Sequence, residues 1–246
     1  MTDRPIIFSA PMVRALLDGR KTQTRRLLKV PGIMGGRYPI LPPEEAIELE
    51  AGEFQRGTFH YASTGALSGP YQIGYATGDR LYVREAHYLT DDGDSEYAVY
   101  ACDIEVVREH LANLAGLPKH FPPDVLARHQ RLRPSIHMPR WASRLTLLVD
   151  DVRVERLQAI SEADAIAEGA KEVPIGAPPG IPDLIGYHHG QVIEPLEDCF
   201  ISASASFRHL WKSLHGPESW DANPFVVALT FSVVRGNIDR MEAAHG

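Results

Sequence analysis

The chain has 246 residues, 44% of them apolar and 23% charged, which suits a soluble globular protein long enough to bury a full core. A formal net charge of −7 argues against a protein that coats nucleic acid nonspecifically, but leaves room for a local basic cleft. Two cysteines, Cys102 and Cys199, exclude a disulfide framework, and no apolar run approaches the roughly 18 residues of a membrane span. The polar start, Met1-Thr2-Asp3-Arg4-Pro5, is no signal peptide, so a cytoplasmic protein without membrane partners is expected.

Pro5-Ile6-Ile7-Phe8 reads as a short buried strand. Ser9 is a suitable helix N-cap, Pro11 fits the first turn, and Met12, Val13, Leu16 and Leu17 give a helical stripe. Asp18-Gly19 ends that helix, and Thr22 to Leu28 has the character of a strand carrying polar groups. Residues 30–77 weaken in pattern and read as an insertion with one hairpin, Gly57 to Thr64 alternating like a strand. Glu44 to Glu53 is a solvated acidic face. After the Gly78-Asp79 turn, Leu81 to Tyr88 reads as one strand. Asp91 to Asp94 then turns the chain into Tyr97–Ala101, so residues 80–101 form a β-hairpin. The spacing of those aspartates fails a calcium loop.

Ile104 to Leu114 is expected to be helical, Ser143 to Leu157 a long strand, and Ser161 to Gly169 a helix capped by Ser161 and stopped by Gly169. Pro174 to Pro195 reads as a loop, Phe207 to Leu214 as an amphipathic helix ended by Gly216, and Phe225 to Val234 as the closing strand. Strands and helices do not alternate regularly, which argues against a doubly wound parallel sheet. An α+β fold is expected, a small, mostly antiparallel barrel flanked by helices.

The chemistry concentrates in Gly19-Arg20-Lys21-Thr22-Gln23-Thr24-Arg25-Arg26, where four of eight residues are cationic and none is acidic. Arg20, Lys21, Arg25, Arg26 and Lys29 form one acid-free window. Arg128, Arg131, Arg133, Arg140 and Arg144 form another. Arginine suits bidentate phosphate or carboxylate recognition, and lysine suits point-charge binding or base chemistry once desolvated. Thr22 and Thr24 are hydrogen-bond donors or, if activated, nucleophiles. His137 and His188-His189 lack further ligands at useful spacings for a metal, and no Walker or dinucleotide motif is present, so no cofactor is expected. Trp141, Trp211 and Trp220 read as packing residues more readily than as base-stacking ones.

The Gly19-Arg20-Lys21-Thr22-x-Thr24-x-Arg26 string after a short helix, Gly78-Asp79 before a strand, and the Ser161–Gly169 helix after a long strand resemble the ASCH domain, a PUA-like β-barrel. Phe8-Ser9-Ala10-Pro11-Met12, the stretch from Pro134 to Arg144, and Trp220-Asp221-Ala222-Asn223-Pro224 are similar to phage- and prophage-encoded ASCH-like proteins. The resemblance implies one domain, residues 1–246, with insertions at about 30–77, 102–142 and 171–202. It also implies a cleft that binds RNA or a nucleoside. Some small members are amidohydrolases that deacetylate N4-acetylcytidine, and the residues that match theirs are Lys21, Thr24 and Glu168. Arg20, Thr22, Arg25, Arg26, Arg140 and Arg144 are then expected to bind ligand. The alternative is a non-catalytic RNA- or nucleotide-binding module, or a phage-derived accessory protein. One physical obstacle stands against the catalytic set: residues three apart on a flat strand point to opposite faces, so Lys21 and Thr24 converge only where the chain bends.

Overall fold

The computed structural model describes residues 2–28, 58–63, 66–72, 74–91, 96–103, 131–175, 184–189 and 199–243. The helix expected at Ile104–Leu114, the acidic stretch Glu44–Glu53, most of the Asp91–Asp94 turn and much of the three insertions lie outside the described residues.

The fold is α+β. Its strands, in chain order, are β1 (Asp3–Ile7), β2 (Gln23–Leu27), β3 (Thr58–Ser63), β4 (Ala66–Gln72), β5 (Arg80–Arg84), β6 (His87–Asp91), β7 (Glu96–Tyr100), β8 (Leu145–Arg156), β9 (Lys171–Ile175), β10 (Leu184–His188) and β11 (Phe225–Arg235). The helices are α1 (Ala10–Leu17), α2 (Glu162–Ala167), α3 (Ala203–His215), α4 (Glu218–Asp221) and α5 (Ile238–Ala243). Hydrogen bonds order five strands as β1-β5-β8-β11-β2, and three two-stranded ribbons pair β3 with β4, β6 with β7 and β9 with β10. In the five-stranded sheet β1 runs parallel to β5, whereas β5–β8 and β2–β11 are antiparallel. Among the described residues no helix is long and apolar enough to cross a membrane.

The chain divides into two compact units, and β8 and β11 each contribute residues to both. One unit comprises Gly19–Asp79 and Val149–Ser232. Its core joins Leu157, Ile160, Ala165, Ala170, Ala203, Phe207, Trp211 and Val226. Ala203, Phe207 and Trp211 recur at helical spacing, so α3 buries one face and leaves the other wet. Phe225 to Leu229 of β11 are all buried, as in a strand covered on both faces. Fully burying side chains such as Phe207 stabilises by roughly 1.5–3 kcal/mol each. The carboxylate of Glu162 accepts the Ala203 backbone N–H at 2.8 Å, and the Ser202 hydroxyl accepts that of Ala205 at 3.2 Å, so the first turn of α3 is capped twice.

The other unit comprises Thr2–Asp18, Arg80–Leu148 and Val233–Gly246. Here Leu81 and Val83 of β5 point inward in strict alternation, joined in burial by Ile6, Phe8, Val13, Leu16, Leu145, Leu147 and Ile238. α1 ends as its sequence requires: Asp18 is the C-cap and Gly19 follows at φ 72°, a left-handed position that glycine enters without a Cβ clash.

Three expectations are corrected. Leu81–Tyr88 is two strands, because the chain leaves the ladder at Glu85. The Glu85 carboxylate is buried against Arg144 at 2.9 and 3.1 Å, and its N–H meets the Met138 sulfur at 3.2 Å. The hairpin is therefore β6–β7 and not the whole of 80–101. Within Pro174–Pro195, β10 pairs with β9, where the sequence reads as loop. Pro174 sits opposite Ile185 in a ribbon of only two strands, where an imino acid is tolerated at the edge. The final element is α5, not β11.

Helix α2 depends on its cap. Ser161 Oγ accepts the Asp164 N–H at 3.1 Å. Replacing Ser161 by alanine should lower stability by about 1 kcal/mol. The expected result is a lower urea midpoint with an unchanged m-value.

Candidate functional site

The site is built where β2 meets the end of α2, within the first unit. α2 stops because Glu168, its C-cap, is followed by Gly169 at φ 105°. That turn aims Glu168 back at the chain emerging from Gly19. Lys21 and Glu168 form an isolated antiparallel bridge, the Thr22 N–H donates to the Ala167 carbonyl at 2.8 Å, and the Thr22 carbonyl accepts the Phe231 N–H at 2.9 Å. Residues 21 and 22 are thus stitched between the α2 terminus and β11.

Lys21 is completely buried, and its Nζ donates to Glu168 Oε2 at 2.6 Å and to the Glu168 carbonyl at 2.8 Å. Arg25 lies two strand repeats further on the same face. Its guanidinium donates to Glu168 Oε1 at 3.3 Å and to Glu155 Oε1 at 2.9 and 2.7 Å, and it lies 3.2 Å from Asp164. Gln23, between them in that alternation, accepts from Arg25 at 3.3 Å. The period of two along β2 therefore gathers Lys21, Gln23 and Arg25 onto a carboxylate set drawn from β8 and α2. Asp164 and Glu168 belong to that set because residues four apart share a helix face.

Burial pushes the Lys21 ammonium below its ordinary pKa. Glu168 opposes that shift and the nearby charges of Arg25 and Arg26 add to it. Desolvation also lowers Arg26, against the pull of Tyr75 and Glu168. Thr24 is buried too, paired through its backbone with Leu229. It belongs to the alternate set of β2 residues, and among the described residues its hydroxyl makes no hydrogen bond to Lys21 or Glu168. Of the expected catalytic residues the fold joins Lys21 directly to Glu168 and holds Thr24 on the adjoining strand.

The expected ligand-binding residues are placed as follows. Arg20 donates to the Gly169 carbonyl at 2.7 Å, which braces the turn that carries Glu168. Thr22 is exposed, with its backbone engaged as described. Arg25 is surrounded by three carboxylates. Arg140 and Arg144 belong to the second unit. Arg140 pairs with Asp3 and Asp239, both at 2.6 Å, and Arg144 with Glu85 at 2.9 Å and Asp103 at 2.5 Å.

Sequence reasoning missed the pairing of His189 with Ser206. His189 Nε2 lies 3.0 Å from the Ala165 carbonyl, which only accepts, so this nitrogen carries the proton and Nδ1 accepts the Ser206 hydroxyl at 2.8 Å. The imidazole joins the ribbon of β9 and β10 to α2 and α3 with both ring nitrogens occupied, so it is not free to ligate a metal. Burial, with the Lys21 charge adding to it, pushes its pKa from 6.5 down to about 4. The folded state thus disfavours the proton, while the unfolded chain takes it near 6.5. The stabilisation is full above 6.5 and is lost as pH falls towards 4. Urea midpoints of the wild type should fall across that window, and His189→Gln should flatten the fall.

No protein-family model, no curated protein and no solved structure matches this chain.

Proposed function

We propose that the chain is an ASCH-type protein with a PUA-like fold that binds a nucleobase-containing ligand beside Lys21 and hydrolyses an N-acylated cytosine nucleoside. The observation that carries this reading is the 2.6 Å contact between Lys21 Nζ and Glu168 Oε2, two buried side chains separated by 147 positions in the chain. Buried groups with a shifted pKa, such as Lys21, concentrate where proton transfer is performed. Amide hydrolysis forms a bond from water oxygen to the carbonyl carbon and breaks the carbon–nitrogen bond, and one proton of the water must reach the leaving amine. In this reading Thr24 orients the water and Glu168 carries the proton to N4. The Lys21 ammonium stabilises the oxyanion that develops between the two steps.

The ion pairs weigh against phosphate binding as the main task of these arginines. Arg25, Arg140 and Arg144 are each held by carboxylates of the same chain, so an RNA backbone would have to displace them. Complete burial of Lys21 favours a second reading, in which the Lys21–Glu168 pair is a clamp inside a non-catalytic nucleotide-binding module. Incubating the full chain with N4-acetylcytidine separates the two. Release of cytidine and acetate in equal amounts is the expected result. Binding without release would establish the module and refute the enzyme.

A further inference from the structure

The second unit contains a cavity of about 460 Å³, within the range of small-molecule sites. Among the described residues its wall carries three guanidinium groups, Arg144, Arg235 and Arg240, and no carboxylate residue, in a chain whose net charge is −7. The three differ in their freedom. Arg144 is fixed by Glu85 and Asp103 and lies 3.8 Å over the Tyr100 ring, so its charge is already balanced and its plane forms a rigid wall. Arg235 is exposed and donates to the Leu17 carbonyl at 2.6 Å, a contact that orients the guanidinium without neutralising it. Arg240, on α5, is exposed as well. Among the described residues neither Arg235 nor Arg240 forms an ion pair.

An aromatic ring stands in the same wall. Trp141 is 45% exposed, although it belongs to a short 3-10 turn whose next residue, Ala142, is buried. That turn is pinned from one side chain: Asn237 Nδ2 donates to the carbonyls of Arg140 at 2.8 Å, Trp141 at 3.1 Å and Ser143 at 2.9 Å. The backbone that carries the indole is therefore set before any ligand arrives. A half-exposed indole on a fixed backbone offers a stacking face, and arginine forks match the oxygens of a phosphate.

We propose that this cavity is a binding site for a small aromatic phosphate ester, with its ring on Trp141 and its phosphate between Arg235 and Arg240. A free nucleoside monophosphate and a simple aryl phosphate share that chemistry. All of the described lining residues belong to the second unit, and neither Lys21 nor Glu168 is among them.

Calorimetry on the full chain with adenosine 5′-monophosphate, cytidine 5′-monophosphate, phenyl phosphate, adenosine and inorganic phosphate tests the proposal. The monophosphates should bind, with adenosine and inorganic phosphate each weaker by about tenfold or more, because each lacks one of the two recognised groups. Phenyl phosphate binding as well as the nucleotides would make the ligand a general aryl phosphate, and preference for the nucleotides would make it a nucleotide, either way supporting the site. Arg235→Gln and Arg240→Gln should each weaken monophosphate binding by about tenfold through loss of a charge-assisted contact. Trp141→Phe should retain binding and Trp141→Ala should lose it. These three side chains are exposed, so unchanged thermal midpoints check that the variants fold. Three results would overturn the proposal: no binding at millimolar monophosphate, equal binding by wild type and the Arg235→Gln/Arg240→Gln variant, or inorganic phosphate bound as tightly as the nucleotides. Tighter binding of single-stranded RNA than of any monophosphate, lost in the same variants, would assign the cavity to nucleic acid and overturn it too.

Discussion

Lys21→Met and Glu168→Gln should each reduce turnover of N4-acetylcytidine by about 10²–10⁴-fold, the range for removal of a positioned acid–base or oxyanion group. The two variants fail for different reasons. Lys21→Met keeps the volume of the lysine stem and removes the charge that faces the oxyanion. Glu168→Gln keeps the shape and a hydrogen bond to Lys21 while losing the ability to carry a proton. Thr24→Ser should retain most turnover, whereas Thr24→Ala should lose it, if the hydroxyl orients the attacking water. Measured cytidine release, with circular dichroism as the check on folding, decides these outcomes. Wild-type rates in both Lys21→Met and Glu168→Gln would remove the pair from the reaction.

The second large effect is on stability, and it is asymmetric. Glu168→Leu leaves the buried Lys21 ammonium without its counter-ion, and breaking a buried pair from one side costs about 3–5 kcal/mol. Lys21→Met is expected to cost less, because Arg25 remains 3.3 Å from Glu168 and still balances it. The double variant Lys21→Met/Glu168→Leu, apolar at both positions, should recover most of what Glu168→Leu loses, since such replacements of buried pairs are often neutral. The single Glu168→Leu variant should also gain stability as pH rises. Its isolated lysine has a folded pKa below the ordinary 10.5, so the unfolded chain binds more protons in that window. Denaturant titrations at pH 7 and pH 9 measure both effects. Additive losses in the double variant would mean that the two groups are not coupled.

The ends of this arrangement are more legible in the sequence than its middle. Ser161, Asp164 and Gly169 announce α2 by capping chemistry, which is local and therefore readable. Gly19 announces the end of α1 in the same way. Lys21 and Glu168 can be paired in advance only through the resemblance, because nothing local joins positions 147 apart. Arg25 reads as a ligand-binding cation because the charge of its partners, Glu155 and Asp164, arrives from β8 and α2 and not from its neighbours in sequence. The break at Glu85 is hidden for a similar reason. Glu85-Ala86 are the weak strand formers within Leu81–Tyr88, but Arg144, which holds the Glu85 carboxylate, lies 59 positions away. The pairing of β9 with β10 is masked by proline and glycine content, which marks turns well but does not forbid a two-stranded ribbon.

The pairing of β2 with β11 has a consequence for the life of the chain on the ribosome. Thr24 is made 205 residues before its ladder partner Leu229. At about 5–20 residues per second that interval is about 10 to 40 seconds. Throughout it the Gly19–Arg26 string has neither its strand partner nor, until Glu168 emerges, a counter-ion for Lys21. A nascent chain stalled before Phe225 holds the lysine and the glutamate without the strand that keeps them aligned. The Lys21–Glu168 pair and the strand ladder beside it are therefore complete only once β11 has been made.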